Sequence, residues 1–322
     1  MGAYARWQRL GDILGRHMVV IIPTFLMIGV SFPEHLGRLR PIIPTLFAIM
    51  TFQNSLANRM ADLRETMRSP GPIGLTLLVM HVIFPLLAFT VGGLVFGFGS
   101  ETVAGIVLEY TVPIGASTVM WVSMASGDIA LTLASVLFSS LVAPFSIPMA
   151  LKLLVGATVQ VDSLRLMGDI AYMVALPAIL AIGLNEFTRG RTAETLKPAL
   201  APLSKILLPI IVATNATSIA HELRHLTPEL LLITCFVGVC TVAGFVVGVC
   251  AGRLTRQPYQ RLVSVGFACG IRNISVGAHL AATYFTPAVV FPAVIGTLFQ
   301  QTLAALFGKW VPRLASMGTQ NE

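Results

Sequence analysis

The chain reads as an all-α polytopic membrane protein of ten transmembrane helices, arranged as two inverted five-helix repeats with helices 4 and 9 broken. Three observations predict this. Hydrophobic types make up 55% of the 322 residues and charged types only 11%, with a mean hydropathy of +0.83, whereas a soluble domain carries about 25% charged residues. Apolar runs near the bilayer-crossing length of roughly 20 residues recur along the whole chain. The basic residues fall almost entirely between those runs, so the net charge of +7 is a topology signal and not a nucleic-acid surface. This composition argues against a soluble enzyme, a nucleic-acid reader and a disordered chain.

The predicted spans run 17–33, 41–57, 72–98, 102–126 and 128–155, then 163–184, 203–221, 228–252, 258–284 and 287–309. The organisation that follows is a cytoplasmic N-terminus (1–16), a first five-helix repeat (17–155), a link (156–162), a second, inverted repeat (163–309) and a cytoplasmic tail (310–322). The first run ends at Phe32-Pro33-Glu34 with no small-residue cleavage site, so it reads as a retained helix. Gln53, Asn54 and Ser55 interrupt the second span, and Asn215, Thr217 and Ser218 interrupt the seventh. The third holds His81 four residues before Pro85. The fourth carries a proline-glycine break, Val112-Pro113-Ile114-Gly115-Ala116-Ser117-Thr118, and the ninth carries Cys269-Gly270-Ile271-Arg272-Asn273-Ile274-Ser275. The 19 prolines and 28 glycines lie largely within apolar stretches, where neighbouring helices can satisfy the backbone groups they free. Cys235, Cys240, Cys250 and Cys269 have no metal-type spacing and read as small buried hydrophobes.

Topology follows from the cations. With the N-terminus in the cytoplasm, 15 of the 21 basic residues fall on the cytoplasmic side, five outside, and Arg272 inside a span. That asymmetry predicts a cell-membrane protein with both termini cytoplasmic. Five spans per half is an odd number, so the repeats must be inverted. Inverted repeats with paired broken helices point to a transport site near the midplane.

Arg272 is the most informative residue, because a charge at the bilayer centre costs at least several kcal/mol. Either it binds an anion or stands in for a cation, or it forms an ion pair with Glu109 or Asp128. Asn273 and Ser275 follow it in the break, with Thr118 and Ser117 as counterparts in the fourth span. Amide, hydroxyl and unwound backbone groups there suit a small ion or an anionic substrate, although Ser and Thr also bond back to their own helices. His81 can relay a proton or serve as a neutral hydrogen-bonding group. Gln53, Asn54, Asn215, Gln300 and Gln301 either line a cavity or link helices. The expected substrate-binding set is Arg272, Asn273, Ser275, Thr118, Ser117, His81 and Asn215. The expected ion-coupling set is Asn273, Thr118 and Asp128. There is no H-E-x-x-H, G-x-S-x-G or Walker A sequence, so the chain reads as a non-enzyme driven by a gradient or passive.

These residues resemble the bile acid:sodium symporter family in its bacterial ten-helix form, over nearly the whole chain. The carriers are Pro113-Ile114-Gly115-Ala116-Ser117-Thr118-Val119-Met120 with Ser126-Gly127-Asp128-Ile129-Ala130-Leu131, then Gly270-Ile271-Arg272-Asn273-Ile274-Ser275-Val276-Gly277, and Phe291-Pro292-Ala293. The resemblance implies a panel domain, a core domain in which two broken helices cross, an organic-anion substrate (a bile acid or a smaller carboxylate) and two sodium ions. Departures from the family pattern lie at the sodium sites. Ala268 stands where the family has a Glu, and Arg272 where it has a Gln. Val119, or Thr118 with the register shifted by one, replaces an Asn, and Met80 replaces a Gln; Asn273 is retained. A carboxylate is lost and a fixed cation gained, both of which oppose Na⁺ binding. The expectation is a secondary transporter of a small organic anion by alternating access, with no cofactor, no metal and no sodium at the family sites. Its partners are the bilayer and the substrate, without nucleic acid. A passive anion channel and a non-transporting sensor are the alternatives.

Overall fold

The computed structural model describes residues 3–56, 58–156, 162–225 and 227–316. Among these the chain is helical throughout, with no strand and one isolated two-residue bridge. Six helices are long and apolar enough to cross a membrane, and a seventh if the arms Tyr4–Met18 and Val20–Ser31 form one span. The elements in chain order are α1 (Ala3–Ser31), α2 (Ile43–Ser55), α3 (Gly71–Phe96), α4 (Glu101–Thr111), α5 (Thr118–Met124), α6 (Ile129–Val155), α7 (Ser163–Phe187), α8 (Arg191–Ala216), α9 (Pro228–Leu254), α10 (Tyr259–Gly270), α11 (Ile274–Tyr284), α12 (Pro287–Ile295) and α13 (Thr297–Ser316).

Short polar residues start several of these helices by accepting hydrogen bonds from otherwise unpaired N–H groups. Ser100 Oγ accepts from Val103 N, Asp128 Oδ1 from Leu131 N, Asp162 Oδ1 from Leu164 and Arg165 N, and Thr227 Oγ1 from Leu230 N.

Two helix starts differ from the hydropathy reading. The first helix begins at Ala3, inside the expected N-terminal segment 1–16, and α8, which corresponds to the seventh predicted span, begins at Arg191 instead of 203. These polar extensions hold each other. Trp7 Nε1 donates to Ala199 O (2.8 Å), Gln8 Nε2 to Pro198 O (2.6 Å) and Lys205 Nζ to Gly11 O (3.0 Å). Side-chain to backbone bonds between distant segments are invisible to a hydropathy window. The last span is also interrupted, at Gly296 between α12 and α13. Most of the predicted link 156–162 and about half of the tail 310–322 lie outside the described residues.

The helices pack as two groups. The first is α1, α2, α7 and α8, with α1 lying along α8 and α2 against both α7 and α8. In the second, α4 packs against α3, α6 and α12, and α10 against α9 and α6. Large apolar side chains such as Leu94, Phe145, Leu153, Leu164, Phe187 and Val239 point outward, the surface a multi-pass membrane protein offers to lipid. The cysteine expectation needs correction: only Cys269 is buried, while Cys235 and Cys250 are exposed on the apolar exterior and Cys240 is half-buried. Without water outside, an apolar thiol has no need of the interior.

Gly105 lets α4 touch α12, because a Cβ there would overlap the carbonyl oxygen of Val289. Gly105→Val is expected to cost about 1–3 kcal/mol through overpacking, read as a lowered Tm of detergent-purified protein. Gly74→Ala, whose Cβ meets nothing within 4 Å, should leave Tm unchanged or raise it.

Candidate functional site

Two helix breaks meet at the centre of the second group. Proline 113 ends α4, and the chain is extended at Val112 before α5 begins. The segment Ile271–Asn273 separates α10 from α11 in the same way. Extended backbone inside a membrane protein leaves N–H and C=O groups that must find partners, and here the breaks satisfy each other. Ile114 and Arg272 form an antiparallel bridge. Gly115 N donates to Ile271 O at 3.0 Å, and Asn273 N donates to Pro113 O at 2.8 Å. The two outward-facing N–H groups go to side chains: Ile114 N to Ser139 Oγ (3.0 Å) and Arg272 N to Gln300 Oε1 (2.8 Å). A Cβ at position 115 would lie 2.8 Å from Arg272 O, so only glycine permits this approach.

The Arg272 side chain, 3% exposed, uses carbonyls that the helix interruptions leave free. Its Nη1 donates to Tyr110 O (2.7 Å), in the last turn of α4, and to Met80 O (3.2 Å). Residues Val79–Ile83 form a π-helical turn in which Phe84 N–H bonds to Val79 O. In that register the next donor would be residue 85, a proline without an N–H, so Met80 O is left open. The guanidinium thus sits at the negative end of α4. Its carbon also lies 4.9 Å from the Phe84 ring centroid and 5.7 Å from that of Tyr110, within cation–π range. The ion-pair expectation is corrected. Glu109 makes no ion-pair contact with Arg272, and Asp128 is spent on the α6 cap and on Arg261 (3.7 Å). Arg272 Nη2 has no partner.

The other expected residues divide between support and exposure to a cleft. His81 is held between Ser139 Oγ and Ser146 Oγ, both at 2.9 Å. Asn215 Nδ2 donates to Ser275 O (3.0 Å), joining α8 to the second break. Thr118 is buried, and its hydroxyl has no partner. Ser117 Oγ accepts from Gln301 Nε2, whose Oε1 accepts from Trp121 Nε1. Gln53 accepts from Ser204 Oγ.

A cavity of about 150 Å³ opens between the two helix groups. Thr51, Asn54, Ser55 and Asn58, with Val174 and Lys197, line it from the first group. Ile114, Ala116, Val119, Ser140 and Asn273 are among its lining from the second. Of the expected substrate-binding and ion-coupling residues only Asn273 reaches it, and of the polar residues expected either to line a cavity or to link helices only Asn54 does. Asn58 Oδ1 is buried there without a donor. Sequence reasoning missed Asn58, Ser140 and Lys197. The spacing Thr51, Asn54, Ser55, Asn58 is a polar stripe of helical period, which was legible. Lys197 lies outside the predicted span 203–221, because charged residues end a hydropathy window before the helix itself ends.

An all-helical, lipid-facing chain with two crossed helix breaks and a polar cleft beside them defines a multi-pass membrane transporter. Residues 43–226 match the signature of the Sodium Bile acid symporter family, and the chain belongs to that family. It is 33% identical to the uncharacterised protein YbaS of Bacillus subtilis (strain 168), over 92% of this chain and 97% of that protein. It is 24% identical to YocS of the same organism, named as a sodium-dependent transporter, over 94% and 93% of the two chains. A probable chloroplastic sodium/metabolite cotransporter, BASS2 of Oryza sativa subsp. japonica, is 24% identical over 91% of this chain and 66% of its own longer one.

Ser139 serves both the first break and His81. Ser139→Ala strands the Ile114 N–H and one imidazole nitrogen, at an expected cost of about 1–3 kcal/mol, measured by thermal unfolding in detergent. Ser140→Ala, which removes only a back-bond to Val136 O, should cost markedly less.

Proposed function

We propose that this protein is a secondary transporter for a small organic anion, built as ten spans in two inverted five-helix repeats (17–155 and 163–309). It would lie in the cell membrane with both termini in the cytoplasm. The observation that carries this is the polar cleft between the two helix groups, beside the crossed breaks. Rocking one group against the other about that crossing would expose the cleft alternately to each side. With the cationic loops inside, Lys197 marks the cytoplasmic mouth.

The cleft suits a small carboxylate better than a steroid. Its 150 Å³ lies below the roughly 300–1,000 Å³ of sites for drug-sized ligands. Lys197, Asn54 and Asn273 offer donors to a carboxylate, and the orphan Asn58 Oδ1 offers an acceptor to a hydroxyl or amide of the same molecule. Arg272 and Ser275 shape the break from behind Asn273, Asn215 braces it through Ser275 O and Ser117 is held by Gln301, while the unpartnered Thr118 hydroxyl lies beside it; the reading is of a carrier and not of an enzyme.

Sodium coupling does not fit the residues present. Where the family resemblance places a coordinating carboxylate, the chain has buried Ala268. The carbonyls of Met80 and Tyr110, oxygen ligands of the kind sodium takes, are held by the Arg272 guanidinium. A fixed positive charge therefore stands in for a mobile one, and Arg272 acts on the anion through charge and not by contact.

Uptake into proteoliposomes from a panel of carboxylates, with and without Na⁺ at fixed pH, tests this. Saturable counterflow with little Na⁺ dependence is expected, and uptake rising steeply with Na⁺ would overturn the substitution by Arg272. Arg272→Gln should lower uptake at least about tenfold, since one unmade buried charged hydrogen bond is worth roughly 1.5–3 kcal/mol. Undiminished uptake would leave Arg272 a purely structural role. Lys197→Ala should raise KM about tenfold without lowering Tm.

A further inference from the structure

Glu109 is an acidic group in the membrane interior that the transport reading leaves unused. It occupies the last turn of α4, is 1% exposed, and its Oε2 has no hydrogen-bond partner. Three interrupted helices converge on it. It precedes Tyr110, whose carbonyl holds Arg272. Its carboxyl lies against Gly296, where the chain passes from α12 to α13, so that a Cβ at 296 would overlap Oε1. Ile274, the residue after cleft-lining Asn273, closes the same spot, 3.3 Å from where that Cβ would sit. Elements that must shift in alternating access therefore wall this carboxyl on three sides.

The charges around it are few. Among the described residues Arg272, from the second break, is the charged group that acts on it, and Tyr110 is its titratable neighbour on α4. Cys240 of α9 faces Tyr110, while Cys269 of α10 and His81 of α3 face Arg272. The packed segment Pro287–Ile295 carries no titratable residue, and that of α6 presents only serines and threonines near the break. Glu109 Oε2 and Arg272 Nη2 are both buried and unpartnered, and no ion pair joins them. An ionised carboxylate left without a donor in a bilayer interior costs several kcal/mol, while a protonated one is neutral. The observed geometry, with Glu109 and Arg272 unpaired, suits the protonated acid better than the ionised one. The ionised form needs the end of α4 and the second break to close on each other until Oε2 meets Nη2.

We propose that Glu109 is the coupling site for a proton, which this transporter uses in place of sodium. The proposal rests on the transport reading above. In each cycle, water on the uptake side supplies one H⁺ to Glu109 Oε2, forming an O–H bond. The carboxyl then leaves Arg272, and the unpaired guanidinium balances the charge of the bound anion. On the cytoplasmic side the O–H bond breaks, the proton returns to water, and the re-formed Glu109–Arg272 pair expels the anion. One proton and one substrate cross together.

Proteoliposomes holding the full chain and a trapped pH dye test this with succinate, malate and taurocholate as probes. An acidic exterior should raise wild-type accumulation of at least one probe several-fold over a collapsed gradient, and adding that probe should acidify the lumen. Glu109→Gln should lose at least about tenfold of the gradient-driven accumulation while counterflow stays measurable. Gradient-independent accumulation by the wild type, or gradient-driven accumulation by Glu109→Gln, would overturn the proposal and leave the transport reading standing. A second measurement needs neither substrate nor flux. Infrared difference spectra of purified protein between acid and alkaline buffer should contain a carboxylic C=O band that shifts in D₂O and is missing in Glu109→Gln. Glu109→Asp, should Glu109→Gln fail to fold, must shift that band instead. A spectrum lacking any such band sinks the proposal, whereas a Glu109 band without counterflow of any probe counts against the transport reading alone.

Discussion

A membrane interior offers no water to an unpaired backbone group, and the structure of this protein is organised around the place where two of its helices break and meet. At the crossing of residues 112–117 with 271–273, each extended segment supplies the donors and acceptors the other lacks. Everything near it is a consequence. Ser139 and Gln300 are needed because two N–H groups point away from the bridge. Glycine is needed at 115 because the backbones touch. Arg272 is tolerated because the first break releases the carbonyl of Tyr110, and the π-helical turn before Pro85 releases that of Met80, both of which its guanidinium takes.

The site is therefore divided in two. On one side of the crossing lies a charge centre of Arg272, Glu109 and two aromatic rings, sealed from solvent. On the other lies the cleft, where the neutral amides of Asn54, Asn58 and Asn273 and the ammonium of Lys197 can meet a ligand. Arg272 and Asn273 are adjacent in sequence yet face opposite sides, as neighbouring residues of an extended segment must. Arg272 fixes a positive charge of the chain itself at this crossing, on the carbonyls of Tyr110 and Met80.

Much of the candidate site was legible, and the gaps have physical causes. The break residues stood out because Pro, Gly and Arg in an apolar run violate the usual composition of a membrane helix. Asn54 was visible as a polar interruption, and Asn58 would have been visible as the next step of the same helical stripe. Lys197 was hidden because a hydropathy window ends a helix where charge begins, although side chains of α1 bond to carbonyls of α8, whose helix reaches back to Arg191. Partners for Arg272 were sought among carboxylates, the usual counter-ions, whereas the structure uses carbonyl oxygens that exist only because one helix ends at Pro113 and another widens before Pro85.

Composition and the placement of charge by themselves determined that this chain is a helical membrane protein, how its apolar runs are spaced, and that its fourth and ninth runs are interrupted. Those properties depend on local residue chemistry against a bilayer of fixed thickness, so they can be read one segment at a time. Which break satisfies which, that Asn273 faces the cleft while Arg272 turns from it, and that Glu109 lies walled in without a partner were decided only by the tertiary structure. Hydrogen bonds and close backbone approaches between residues more than 150 positions apart have no local signature, because each depends on where a distant segment happens to end.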